Sequence, residues 1–152
     1  MNNANFATPP DGQHGRMNMY IFTMTNITRD GSLDSVIPIH EYTHGISNRL
    51  TGGAATGNCL RDQESGGMGE GWSDAVGVFI GRSENDTRDV DIAVGWYVLN
   101  STRHGRGIRR YPYSTNMTTN PLTFASYNLT SEVHKVGEIW ASTCRVNSSN
   151  TE

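Results

Sequence analysis

Residues 40–44 read His-Glu-Tyr-Thr-His, and no other stretch of this 152-residue chain limits its folding so tightly. Two histidines four apart share a face only on a helix, where they stand about 40° apart and one turn up. The flanking residues allow that helix. Ser35 or Asp34 supplies a cap, and Pro38 falls in the first turn, where its missing N–H costs little. The helix is expected over Val36–Arg49, with Gly52-Gly53 ending it. On it, His40 and His44 face one metal ion through imidazole nitrogens. Glu41 lies about 100° further round the helix. That is too far for a natural third ligand and close enough to take a proton from a water on the metal. A salt-bridged surface helix explains these residues less well. Val36, Ile37 and Ile39 make the segment apolar, where bare histidines and a glutamate are costly.

The third ligand comes from elsewhere. An extended pattern would place Gly at 47 and His at 50, but those positions hold Ser47 and Leu50. A second helix, beginning near Ser65–Gly67 and running to about Gly81, carries Glu70 with Asp74 one turn beyond. Glu70 is the expected metal ligand. Asp74 is expected to accept the other N–H of a ligand imidazole, that of His40. Gly67, Gly69 and Gly71 allow close packing near the metal. Met68, Trp72, Ala75, Val76, Val78, Phe79 and Ile80 predict a buried interior for this helix.

Elsewhere the pattern is looser. Pro9-Pro10-Asp11-Gly12 marks a turn-rich opening. Residues 17–25 read as a strand, Met17, Met19 and Ile21 alternating with Asn18, Tyr20 and Phe22. Residues 28–32 read as a turn in which Gly31 supplies a positive φ. Asp91–Asn100 fits a short helix or a strand equally well, and Gly105–Pro121 is irregular. Glu132–Val146 predicts a helix, with Val133, Val136, Ile139 and Trp140 at helical spacing. The fold class is therefore α+β. Only 35% of residues are hydrophobic and 17 are glycine, against about 45–50% apolar in an ordinary domain, so the core is thin.

Composition closes off several functions. The net charge is −3, and the four arginines of residues 103–110 accompany no aromatic platform, so no nucleic-acid partner is expected. No apolar run is long enough to span a membrane. The first residues lack the basic and apolar regions of a signal peptide, so the chain is cytosolic or its true beginning lies upstream. Six Asn-x-Ser/Thr sequons, at Asn26, Asn85, Asn100, Asn116, Asn128 and Asn147, favour a secreted glycoprotein. Cys59 and Cys144 form no Cys-x-x-Cys pair, which argues against a cysteine zinc site and leaves a disulfide open. Asp30 and Asp34 suggest a calcium site only weakly.

The stretches His-Glu-Tyr-Thr-His-Gly-Ile-Ser-Asn-Arg-Leu-Thr-Gly-Gly (40–53) and Glu-Ser-Gly-Gly-Met-Gly-Glu-Gly-Trp-Ser-Asp (64–74) resemble fungalysin, the fungal extracellular zinc metalloproteinase family. More distantly they are similar to thermolysin-like peptidases. The likeness runs from Asn2-Asn3-Ala4-Asn5 to Val133-His134. It implies one zinc ion per chain, held by His40, His44 and Glu70, with Glu41 as base. His134 resembles the histidine that stabilises the tetrahedral intermediate, and Arg109 the arginine that binds a substrate carbonyl. Asn3 and Ala4 correspond to the edge that pairs with substrate backbone. The tyrosine that helps the oxyanion in thermolysin-like enzymes has no counterpart, since its place by spacing is Arg61.

The resemblance also implies that residues 1–152 are a partial catalytic domain, the central slice of a thermolysin-like fold. On that reading the N-terminal lobe, a propeptide and most of the helical C-terminal lobe are expected to lie outside these residues. The expected activity is secreted zinc endopeptidase, cutting internal bonds of extracellular proteins and made as a zymogen. The alternative is a truncated, zinc-binding but inactive chain.

Overall fold

The computed structural model describes residues 2–148. Met1 and residues 149–152 of the expected domain, and the side chain of the Asn147 sequon, lie outside the described residues.

Three helices frame the fold: α1 (Val36–Leu50), α2 (Gln63–Ile80) and α3 (Val133–Ser148). Each starts where a side chain satisfies free backbone N–H groups. Asp34 Oδ1 accepts from Val36 N at 3.2 Å, so Asp34, and not the Ser35 hydroxyl, is the working cap of α1. Ser65 Oγ accepts from Asp62 N at 3.1 Å, which starts α2 at Gln63, earlier than expected. Glu132 accepts from the N–H groups of His134 and Lys135 at the head of α3. Beyond α1, Gly52 and Gly53 adopt φ of 89° and 86°, the left-handed region that ends helices without a Cβ clash.

Helices α2 and α3 approach so closely that side chains would not fit between them. A Cβ on Gly71 would lie 2.7 Å from the Gly137 carbonyl oxygen and 2.7 Å from Trp140 Cβ. A Cβ on Gly137 would lie 2.6 Å from Glu70 Cβ. The expectation for Gly69 is corrected: a Cβ there would meet only Leu60 at ordinary contact distance.

The expected strand over 17–25 is two strands. Ala4–Ala7 (β1) pairs antiparallel with Arg16–Met19 (β2), and Ile21–Phe22 (β3) pairs with Arg29–Asp30 (β4). The break falls at Tyr20, whose carbonyl accepts from Gly31 N at 3.1 Å and turns the chain to a new partner. The alternation changes phase there: Ile21 is 42% exposed and Phe22 is buried. Gly31 does not take the expected positive φ. It is needed because a Cβ would press on the Phe22 ring at 2.8 Å.

Two apolar clusters make the core. One joins Val36, Val78, Ile92, Val94, Tyr113 and Ala141; the other joins Phe22, Ile37 and Val98. Asp91–Asn100 is neither helix nor strand. Its one regular feature is an antiparallel bridge between Ile92 and Tyr113, followed by turns. The far end of α2 is not buried as expected: Phe79 is 72% and Ile80 60% exposed. Trp140 on α3 is also partly exposed.

Candidate metal centre

The helix α1 presents His40 and His44 on one face, as their spacing requires, with ring centroids 4.7 Å apart. Glu70 on α2 meets them. His40 Nε2 lies 3.0 Å from His44 Nε2 and 3.2 Å from Glu70 Oε2, and His44 Nε2 lies 3.5 Å from Glu70 Oε1. Among the described residues this is the one group of His, Cys, Asp and Glu with metal-binding spacing.

These distances test whether a cation fits. Tetrahedral ligand atoms about 2.1 Å from an ion stand roughly 3.4 Å from one another, close to the separations here. The donors also suit a cation. His40 Nδ1 lies 2.7 Å from Asp74 Oδ1, a contact that places its proton on Nδ1 and turns the Nε2 lone pair inward. Glu70 Oε2 is buried without a hydrogen-bond donor, an unsatisfied anionic oxygen aimed at two imidazoles. The residues present therefore fit a metal ion.

Charge balance around the site is strongly coupled. Burial opposes a charge on His40, but the Asp74 carboxylate and then Glu70 outweigh it and push its pKa up to about 9. Burial also opposes ionisation of Glu70, yet the two histidines hold its carboxyl far below the ordinary range. Asp74 is held lower still, against its own burial, by Arg109 and His40. Glu41 differs. It is 7% exposed, and burial raises its carboxyl above the usual carboxylate range.

A cavity of about 610 Å³ opens over this group. Its walls include Glu41, His40, His44 and Glu70 from the helices, Asn3 and Ala4 from the start of β1, and Arg109 and His134. All nine residues expected to act together are thus in or beside one cleft. Asn3 and Ala4 sit at a strand paired on one edge only. His134, at the head of α3, has Nε2 3.5 Å from Glu70 Oε2. Arg109 donates from Nε at 2.7 Å and from Nη2 at 2.9 Å to Asp74, and the residue also borders the cleft. Arg61 lines a separate cavity, so no donor arises from that position.

Two partners escaped the sequence. Glu132 Oε1 accepts from His134 Nδ1 at 2.6 Å, orienting that ring. The spacing of Glu132 and His134 at a helix head was the available signal. Tyr113 donates its hydroxyl to Asp74 Oδ2 from inside the core. It lies in irregular chain, where no periodicity marks it. Asp30 and Asp34, the weak calcium candidates, serve the backbone instead. Asp30 accepts from Ser32 N, and Asp34 accepts from Val36 N and Tyr97 N.

Cys59 and Cys144 are free thiols. Arg103, Arg109 and Arg110 pair with Asp86, Asp74 and Glu138, so most of the arginine-rich stretch is internally neutralised. No described helix is long and apolar enough to cross a membrane. Asn26, Asn85, Asn100, Asn116 and Asn128 are exposed.

Comparison with known proteins agrees with the geometry. The model of the fungalysin metallopeptidase family matches residues 1–146. The chain is 57% identical over 141 residues to extracellular metalloproteinase mep of Aspergillus fumigatus, covering 93% of this chain and 22% of that protein. It is 56% identical over 140 residues to extracellular metalloproteinase 2 of Arthroderma gypseum, covering 92% and 22%. Extracellular metalloproteinase MEP of Pyricularia oryzae is 55% identical over 141 residues, with the same coverage. The chain thus spans about a fifth of the length of the curated relatives it matches. With a match over almost every residue and identities above one half, this chain belongs to the fungalysin metallopeptidase family.

Proposed function

We propose that the chain carries the catalytic centre of a secreted, thermolysin-like zinc endopeptidase that hydrolyses internal bonds of extracellular proteins. The observation that carries this reading is the convergence of His40 Nε2, His44 Nε2 and a Glu70 oxygen within 4.8 Å, beside a buried glutamate in the same cleft. One zinc ion would be held by His40, His44 and Glu70, a set with one glutamate and two histidines that suits zinc. When bound, the ion polarises the scissile carbonyl and acidifies water.

The chain's own residues do the rest. The Glu41 carboxylate, buried in the wall of the same cleft, accepts the water's proton and passes it to the leaving amine. His134 is held at Nδ1 by Glu132, which orients the ring so that Nε2 is turned toward Glu70 and the place of the developing oxyanion. Arg109, rigid against Asp74, orients the substrate carbonyl. Asn3 and Ala4 offer backbone groups at an open strand edge to an extended peptide. A propeptide of the precursor would occupy the same cleft, and the exposed sequons suit the secretory route.

Zinc titration joined to cleavage of a quenched peptide tests this. The expected result is stoichiometric zinc and cleavage that Glu41→Gln lowers by about 10²–10⁴ without releasing metal. A folded chain that binds zinc but shows no Glu41-dependent cleavage would leave only a metal-binding segment and sink the enzymatic reading for it.

A further inference from the structure

Asp74 receives more donors than any other carboxylate of the metal centre. It is 1% exposed and takes hydrogen bonds from His40 Nδ1, Arg109 Nε, Arg109 Nη2 and the Tyr113 hydroxyl. Three of these come from residues facing the cleft. The fourth comes from the core. Tyr113 is 2% exposed, and its ring packs with Val36, Val78 and Ala141. Its backbone exchanges two hydrogen bonds with Ile92, at 3.0 and 2.8 Å.

We propose that Tyr113 is a positioning residue for the metal centre, fixing the Asp74 carboxylate and through it the plane of the His40 imidazole. This rests on the metal-site reading above. Asp74 Oδ2 is shared between Arg109 Nε and the Tyr113 hydroxyl, so the carboxylate cannot rotate without breaking a bond to the packed core. The direction of His40 Nε2 toward His44 and Glu70 follows from that plane. A tyrosine suits the position because it donates without charge. A second cation would draw on the negative charge that Asp74 needs to orient and polarise His40. Burial, with Asp74 beside it, keeps the phenol protonated and donating.

Zinc affinity by chelator competition, with visible absorption of the Co2+-loaded chain, tests this on Tyr113→Phe. That substitution keeps the ring in its cluster. The expected result is a loss of affinity of about tenfold or more, with altered cobalt bands. The same substitution in an Asp74→Asn background should add nothing, since both act through one carboxylate. Ile92→Val is the packing control, in the same cluster but without contact to Asp74. An affinity within twofold of the parent and an unchanged spectrum would overturn the proposal. So would an equal loss in both backgrounds, or an equal loss from Ile92→Val. A parent chain that binds no zinc overturns this inference and the site reading together. One that binds zinc without cleaving peptide sinks only the enzymatic reading.

Discussion

The two ends of helix α2 are built on opposite terms. Its first half touches α3 closely, Gly71 against Gly137 backbone to backbone and Gly67 against the Val136 side chain, and places Asp74 among donors that fix it beside Glu70. Its last turn exposes Phe79 and Ile80 to solvent. One helix therefore holds the most constrained groups in the molecule and some of its least packed ones. The contrast teaches that the site is organised locally. Hydrogen bonds to a buried carboxylate and close glycine contacts orient it, and the far end of the same helix adds little.

Substitutions along and around α2 break or sharpen that contrast. The largest effect belongs to the cleft side. Glu41→Gln is expected to lower kcat by about 10²–10⁴ while zinc stays bound, read by peptide cleavage and metal analysis. A pH effect comes next, in the metal-free chain. His40 binds its proton more tightly in the folded state, with a pKa of about 9 against an ordinary 6.5. The stability this supplies is complete below pH 6.5 and is lost as pH rises through 9. Its size is on the order of 3 kcal/mol, from the shift at 1.36 kcal/mol per unit. Chemical denaturation at pH 6 and pH 10 checks it, and no fall in stability at the higher pH would refute the Asp74–His40 coupling.

Asp74→Asn is expected to weaken zinc binding about 10–100-fold, measured by chelator competition. Gly71→Ala should destabilise the chain by roughly 1–3 kcal/mol, because its Cβ meets backbone that cannot move aside. Gly69→Ala, two residues away with space for a methyl, should not destabilise it. Thermal melts of the two variants side by side decide the point. The smallest effect belongs to the exposed end. Phe79→Ser should change stability by less than about 0.5 kcal/mol, and a large loss there would show that the two ends of α2 are not independent.

Much of the site was legible because helical spacing converts sequence distance into a shared face. His40 with His44, and Glu70 with Asp74, follow from that geometry, and the pairing of Asp74 with His40 follows from what a metal-bound imidazole needs. The strand over 17–25 was misread because alternation carries no information about where a ladder changes partners; Tyr20 and Gly31 decide that through one backbone hydrogen bond. Phe79 and Ile80 were expected inside because apolar character marks a tendency to be buried and not the presence of a neighbour.

By itself, the sequence determined which side chains share a helix face: His40 with His44 one turn on, and Glu70 with Asp74 one turn on. Local backbone geometry suffices for that. Only the tertiary structure decided that α1 and α2 meet with their nitrogens and oxygens near 3 Å, that Glu132 holds His134, and that Tyr113 reaches Asp74 from the core. Those contacts join residues far apart in the chain or hidden in irregular segments. Their distances depend on how closely the elements pack, which glycine and core volume set and no periodicity records.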